Sequence, residues 1–279
     1  MLFILYFQEE NYNMSKLNNA IYQIHSIDEL ATKDCWINNV NPTVKLILTI
    51  IYISIVVSFS KYNLSSLMTM AIYPIIIFST NDISFKDSLK RLKIVLPLVC
   101  FVGVFNPFLD REMLIKVGQI SISKGMISMI TLMIKGILTS FAAYLLIITT
   151  SIEKICYAMG RLYIPKIFIT QVLFIYRYIT VLLDEANQII QAYSLRAPNQ
   201  KGIQYKVWGS LIGQLLLRSM DKADNIYESM CLRGYVGEFY YVKNEKNKGE
   251  DYIYLISWLV VFIIIRFFNL VEIIGSVFG

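Results

Sequence analysis

The chain has 279 residues, 56% of them hydrophobic and only 16% charged, with a mean hydropathy of +0.54. Soluble domains carry about 25% charged residues, so this composition, with its several long uncharged runs, excludes an ordinary soluble domain and reads as a polytopic membrane protein. The net charge of +6 is the Lys and Arg excess of cytoplasmic loops and does not point to nucleic acid as a partner.

The first 13 residues, MLFILYFQEENYN, hold an apolar run too short for a signal segment and lack a basic start. Met14 is the expected true start, with 1–13 as an extension. Four apolar spans follow, at about Val44–Ser60, Leu64–Thr80, Ile94–Leu109 and Met126–Thr150, and a fifth at about Tyr252–Ile274. A tight turn at Lys61-Tyr62-Asn63 makes the first two a hairpin. The connection Asn81–Lys93 carries Lys86, Lys90, Arg91 and Lys93, and Ser151–Lys166 carries Lys154, Arg161 and Lys166. The excess of positive charge on these connections puts the N-terminus and everything from Ser151 to the last span in the cytoplasm.

Lys166–Leu183 is apolar enough to be mistaken for a span, but Arg177 interrupts it between Tyr176 and Tyr178. A charge at mid-membrane costs a few kcal/mol even on lenient scales. If the segment crossed, only Val207–Leu217, with Gln214 inside it, would remain to bring the chain back. Lys166–Arg196 is therefore expected as one long helix lying at or under the membrane, with Asp184–Gln191 reaching into the cytoplasm. Pro198 and Gly202 follow it as stop signals. A second helix is expected at about Tyr205–Arg233, halted by Gly234, with Asp221, Lys222, Asp224 and Glu228 on its wet side. Both helices end in Leu-Arg. An arginine there complements the helix dipole. Its repetition adds a second reading, in which the rigid guanidinium fork of each reaches into a groove on a partner.

Sites for chemistry are missing from the sequence. There is no Walker A, HExxH or GxSxG motif, and the only histidine is His25, beside Asp28 and Glu29 in an expected solvated loop. Cys35, Cys100, Cys156 and Cys231 form no CxxC pair and receive no role. Lys135 stands alone in the fourth span, with either a functional role or burial against polar groups of neighbouring helices.

Several stretches together resemble the transmembrane T component of energy-coupling factor transporters, in its CbiQ branch. They are Ile37-Asn38-Asn39-Val40-Asn41-Pro42-Thr43-Val44-Lys45-Leu46, Thr149-Thr150-Ser151 with Ile164-Pro165, and Tyr176-Arg177-Tyr178 with Leu183-Asp184-Glu185-Ala186. Ser194-Leu195-Arg196-Ala197 and Tyr227-Glu228-Ser229-Met230-Cys231-Leu232-Arg233-Gly234 complete the set. The family carries two Ala-Arg-Gly-type motifs at the ends of cytoplasmic coupling helices. Here Leu195-Arg196-Ala197 and Leu232-Arg233-Gly234 match them, with Leu for Ala in both and Ala for Gly in the first.

The resemblance implies that Arg196 and Arg233, with Leu195, Ala197, Leu232 and Gly234, couple to two cytosolic ABC-type ATPases. Arg177, Tyr176, Tyr178, Asp184, Glu185 and Glu228 would support them. It further implies a separate substrate-binding membrane subunit, CbiM-like, with or without a CbiN-like chain. The expected fold is all-α, a polytopic membrane helix bundle with about five spanning helices and long cytoplasmic coupling helices. The divisions are 1–43 N-terminal segment, 44–150 four spans, 151–251 coupling helices and 252–279 final span. The expected function is a non-catalytic coupling subunit of an ATP-driven uptake transporter for cobalt ion in the cell membrane, with no cofactor or metal site of its own. The alternatives are a T component for nickel or a vitamin, an intramembrane protease or lipid transferase, and a self-contained carrier.

Overall fold

A computed structural model describes residues 35–60, 64–80, 113–117, 120–197, 203–237 and 249–267, with isolated positions between 22 and 32 and between 88 and 103. The extension 1–13, His25, the turn 61–63, the basic residues of 81–93, nearly all of the expected span Ile94–Leu109, the loop 198–202, the linker 238–248 and the last residues 268–279 lie outside the described residues. The chain forms two compact units, Leu30–Ala158 with Glu245–Gly279, and Met1–Glu29 with Met159–Asn244.

In the first unit, α1 (Pro42–Ser58) begins where its sequence says it should. Pro42 occupies the first turn, where no N–H is needed, and the Asn41 side chain accepts from the Thr43 N–H at 2.9 Å. Val44, Leu48, Tyr52 and Val56 recur every four residues along its buried face. The expected second span, Leu64–Thr80, is instead two helices, α2 (Leu64–Thr69) and α3 (Ile72–Thr80), broken at Met70-Ala71. Pro74 is the physical reason. It lacks the N–H that would close a helical bond to the Met70 carbonyl, and the tight bonds Met70 N–H to Leu67 and Ala71 N–H to Met68 replace the regular ladder. The freed Met70 carbonyl accepts the Tyr52 hydroxyl at 3.0 Å.

The all-α expectation also needs one addition. Strands β1 (Met113–Val117) and β2 (Ile120–Ser123) pair as an antiparallel hairpin in the polar stretch before the fourth span. Ile120–Ser123 alternates apolar and polar residues, and Gly118 stands between the two short runs as a turn signal. The long helix α4 (Lys124–Thr149) follows at once, and then α5 (Ile152–Arg161), a helix where only a connection was expected. Much further along the chain, α8 (Gly249–Phe267) also belongs to this unit.

The core joins α1, α3, α4 and α8. Tyr52, Tyr73, Trp258 and Phe262 form one aromatic cluster, with ring centroids 4.7–5.7 Å apart, and Phe78 meets Phe141 edge-on at 5.5 Å. Aromatic pairs in this range add about 0.5–1.5 kcal/mol beyond their buried area.

Polar contacts fix the helix directions. At the N-terminal end of α1, the Asn41 N–H donates to Asp251 at 3.0 Å, and Lys45 Nζ donates to the Thr149 carbonyl at 2.8 Å. At its C-terminal end, Lys135 donates to the carbonyls of Val57 (2.9 Å) and Phe59. Arg266 reaches the Ser58 carbonyl at 3.3 Å and stacks 4.7 Å over the Phe59 ring. So α8 runs parallel to α1 and α4 antiparallel to it. The N-terminal ends of α1 and α8 and the C-terminal end of α4 share one end of the bundle. Lys135 thereby has its explanation, because two cations satisfy the carbonyls that every helix leaves bare at its C-terminus.

The second unit is built on α6 (Lys166–Arg196) and α7 (Tyr205–Leu232). The first has the bounds expected from the sequence, and the second ends one residue earlier. Among the described helices, α4 and α6 are the two long and apolar enough to cross a bilayer.

Candidate functional site

The two Leu-Arg pairs stand at the C-terminal ends of α6 and α7. Leu195 is 80% exposed and Leu232 89%, and Arg196 and Arg233 are exposed beside them. Neither arginine has a side-chain hydrogen bond or ion pair among the described residues. Each tip therefore offers an apolar side chain and a five-donor cation together.

The turns that follow differ, and the residue after each arginine explains why. At the second tip Gly234 takes φ +85°, its N–H bonds the Cys231 carbonyl at 3.0 Å, and the Tyr235 N–H reaches back to Met230 at 3.0 Å. This is a glycine-dependent helix cap, and it turns the chain sharply after Arg233. At the first tip Ala197 stays at φ −127°, with its N–H shared between the Tyr193 and Ser194 carbonyls. An alanine avoids the left-handed region, so the chain leaves α6 without that turn.

Glu185 braces the two helices. Its carboxylate, largely covered, accepts from Arg218 and from Lys222 at 3.5 Å, one turn apart on α7. The hydrogen bond from Arg218 holds the Glu185 carboxyl below its ordinary range, with Lys222 adding to it. Glu185 lies about 16 Å along α6 from Arg196, and Lys222 is as far along α7 from Arg233. Arg218, the nearer partner of Glu185, is one turn further from the tip, about 22 Å along α7 from Arg233. Lys222, expected on the wet side of α7, faces α6 instead; its partner on another helix cannot be read from the sequence of α7 alone.

The remaining site residues spread along these helices. Arg177, Asp184 and Glu228 are exposed, while Tyr176 and Tyr178 are half-buried, with the Tyr178 ring 6.0 Å from that of Phe174. The structure joins Glu185 to α7. No residue of α7 is buried, so this long helix keeps nearly its whole surface open.

A lowered carboxyl pKa means the brace is fully present above the ordinary carboxylate range and is lost as pH falls through the lowered value. Amide exchange in α7 is therefore expected to stay slow in mild acid and to accelerate only below that range. Glu185→Gln should raise exchange at neutral pH and remove the acid step. Unchanged exchange in the variant would show that the brace holds nothing.

Sequence reading missed three residues. Lys45 and Asp251 are each 5% exposed, and Arg218 completes the brace. Lys45 carried the one available signal, a lysine inside an apolar span.

The CbiQ family, described as cobalt transport protein, matches residues 33–242. An energy-coupling factor transporter transmembrane protein, EcfT of Ruminiclostridium cellulolyticum, is 29% identical over 218 residues, 72% of this chain and 81% of that one. An uncharacterized protein of Methanocaldococcus jannaschii is 27% identical over 84% of this chain and 82% of its own length. Nickel permease LarQ of Lactiplantibacillus plantarum is 25% identical over 44% of this chain and 45% of its own. The family match runs from ahead of α1 to beyond the second arginine tip, and this chain belongs to the CbiQ cobalt transport protein family, as a membrane component of an energy-coupling factor transporter.

Proposed function

We propose that this chain is the coupling subunit of an ATP-driven cobalt uptake transporter in the cell membrane. Arg196 and Arg233 dock α6 and α7 onto two cytosolic ABC-type ATPases. ATP-driven closure of the ATPase pair moves both helix tips, and the movement passes to a separate, CbiM-like membrane subunit that holds the metal ion. The chain itself binds no nucleotide and catalyses nothing. About five helices span the bilayer, and the shared end of α1, α4 and α8 faces the cytoplasm. α6 lies at or under the membrane, because Arg177 in its apolar half would be expensive at mid-bilayer.

The observation that carries this reading is the pair of exposed Leu-Arg tips on stiff helices. A 31-residue helix and a 28-residue helix transmit displacement without bending far, and the Glu185 brace makes them move together. A second substrate, nickel, is favoured by a relative named as a nickel permease.

Affinity purification from the native membrane in mild detergent, followed by mass spectrometry, tests the reading. One or two ABC ATPases and a small polytopic subunit are expected to come with the chain. Recovery of the chain alone, under conditions that preserve such complexes, would overturn it. Uptake of labelled cobalt and nickel by the recovered complex in vesicles distinguishes the two metals.

A further inference from the structure

Between the end of α4 and the start of α8 lies the coupling segment, residues 151–248, whose first helix, α5, still belongs to the bundle's unit as far as Ala158. The end of α4 and the start of α8 are both tied to one turn of α1. Lys45, in that turn, donates from Nζ to the Thr149 carbonyl at 2.8 Å, to Thr150 Oγ1 at 3.3 Å and to the Asn38 carbonyl at 3.4 Å. The Asn41 N–H, four residues earlier, donates to Asp251 Oδ1 at 3.0 Å, in the first turn of α8. Asn38, Asn41, Lys45, Thr149, Thr150 and Asp251 are all buried.

We infer that Lys45 and Asp251 are positioning residues for coupling, fastening both roots of the coupling segment to the first turn of α1. The inference rests on the coupling function proposed above. Apolar packing alone would let the ends of α4 and α8 slide and rotate, because it has no direction. Hydrogen bonds to a buried ammonium and a buried carboxylate are directional and stronger than neutral ones. They hold the end of α4 and the first turn of α8 against the first turn of α1. A displacement of the coupling helices then reaches α1, α4 and α8 together and is not absorbed in loose joints. The three acceptors of Lys45 also have separate origins: the end of α4, the residue just past it, and the turn ahead of α1. One side chain thus ties the first turn of α1 to the turn ahead of it and to the end of α4.

The test uses the whole complex in vesicles, with ATPase recovery, ATP hydrolysis and cobalt uptake measured separately. Lys45→Met keeps the length and apolar stem but removes the ammonium. It is expected to retain ATPase recovery and hydrolysis while uptake per ATP falls about tenfold, the factor that one charge-assisted buried hydrogen bond represents. Thr150→Val, nearly isosteric, removes one acceptor and should lower the ratio about threefold, so it decides the matter if Lys45→Met fails to insert. Asp251→Asn keeps an oxygen for the Asn41 N–H and should couple better than Asp251→Leu. Normal uptake per ATP in both Lys45→Met and Thr150→Val would overturn the inference. So would uptake and hydrolysis that fall in parallel, since that marks a fold defect. Loss of ATPases from the unaltered chain would instead remove the coupling function itself.

Discussion

A chain carrying both Arg196→Glu and Arg233→Glu is expected to insert normally, to lose its ATPase partners on purification, and to support no transport. Both side chains are exposed at helix ends, and neither has a side-chain partner among the described residues. Replacing them therefore leaves the bundle core untouched. Truncating one partner of a buried charge pair at an interface costs about 2–5 kcal/mol, and a reversed charge adds repulsion. The two tips end different helices, so their losses should add. Arg196→Lys and Arg233→Lys should each recover only part of the binding, because an ammonium cannot make the paired, planar contacts of a guanidinium. The second tip carries an internal control. Gly234→Ala leaves Arg233 in place but opposes the φ of +85°, and should weaken binding by tilting the arginine. Ala197→Gly should do little, since Ala197 does not use the left-handed turn. The checks are ATPase recovery against chain recovered from membranes. Normal recovery with the double change would make both tips ordinary helix ends.

Most of the coupling segment was legible in the sequence. Lys166–Arg196 carries its own stop in Pro198, and Gly234 marks the end of α7, so both tips follow from local rules. Local rules failed where a partner lies far away in the chain. The brace needs Glu185 and Arg218 on different helices. The ties of Lys45 to Thr149 and of Asn41 to Asp251 join residues more than a hundred positions apart. The interruption of Leu64–Thr80 had a visible cause in Pro74, but an apolar run of that length hides a break in hydropathy alone. α5 was missed because Lys154 and Arg161 made its stretch read as a charged connection, although Cys156 and Ala158, between those charges, are buried.

The break at Met70-Ala71 gives the second large effect. Tyr52→Ala is expected to destabilise the bundle by about 3–5 kcal/mol, through the cavity left beside Tyr73 and Phe262. Tyr52→Phe isolates the hydroxyl. Met70 is fully buried, so without that hydroxyl its carbonyl loses the donor that replaced the missing Pro74 N–H, at about 1–3 kcal/mol. Pro74→Ala restores a backbone donor four residues after Met70. In the Tyr52→Phe background it should recover part of the loss, as the new backbone N–H bonds the Met70 carbonyl and α2 and α3 join more continuously. In the unaltered background the carbonyl already has Tyr52, so the gain should be smaller. The two changes should therefore be non-additive, with an interaction of about 0.5–3 kcal/mol. The midpoint of heat-induced unfolding in detergent, read for the unaltered chain, both single variants and the double variant, checks this. Strict additivity would mean that Tyr52 and Pro74 do not share the Met70 carbonyl, and that the break in the second span has another cause.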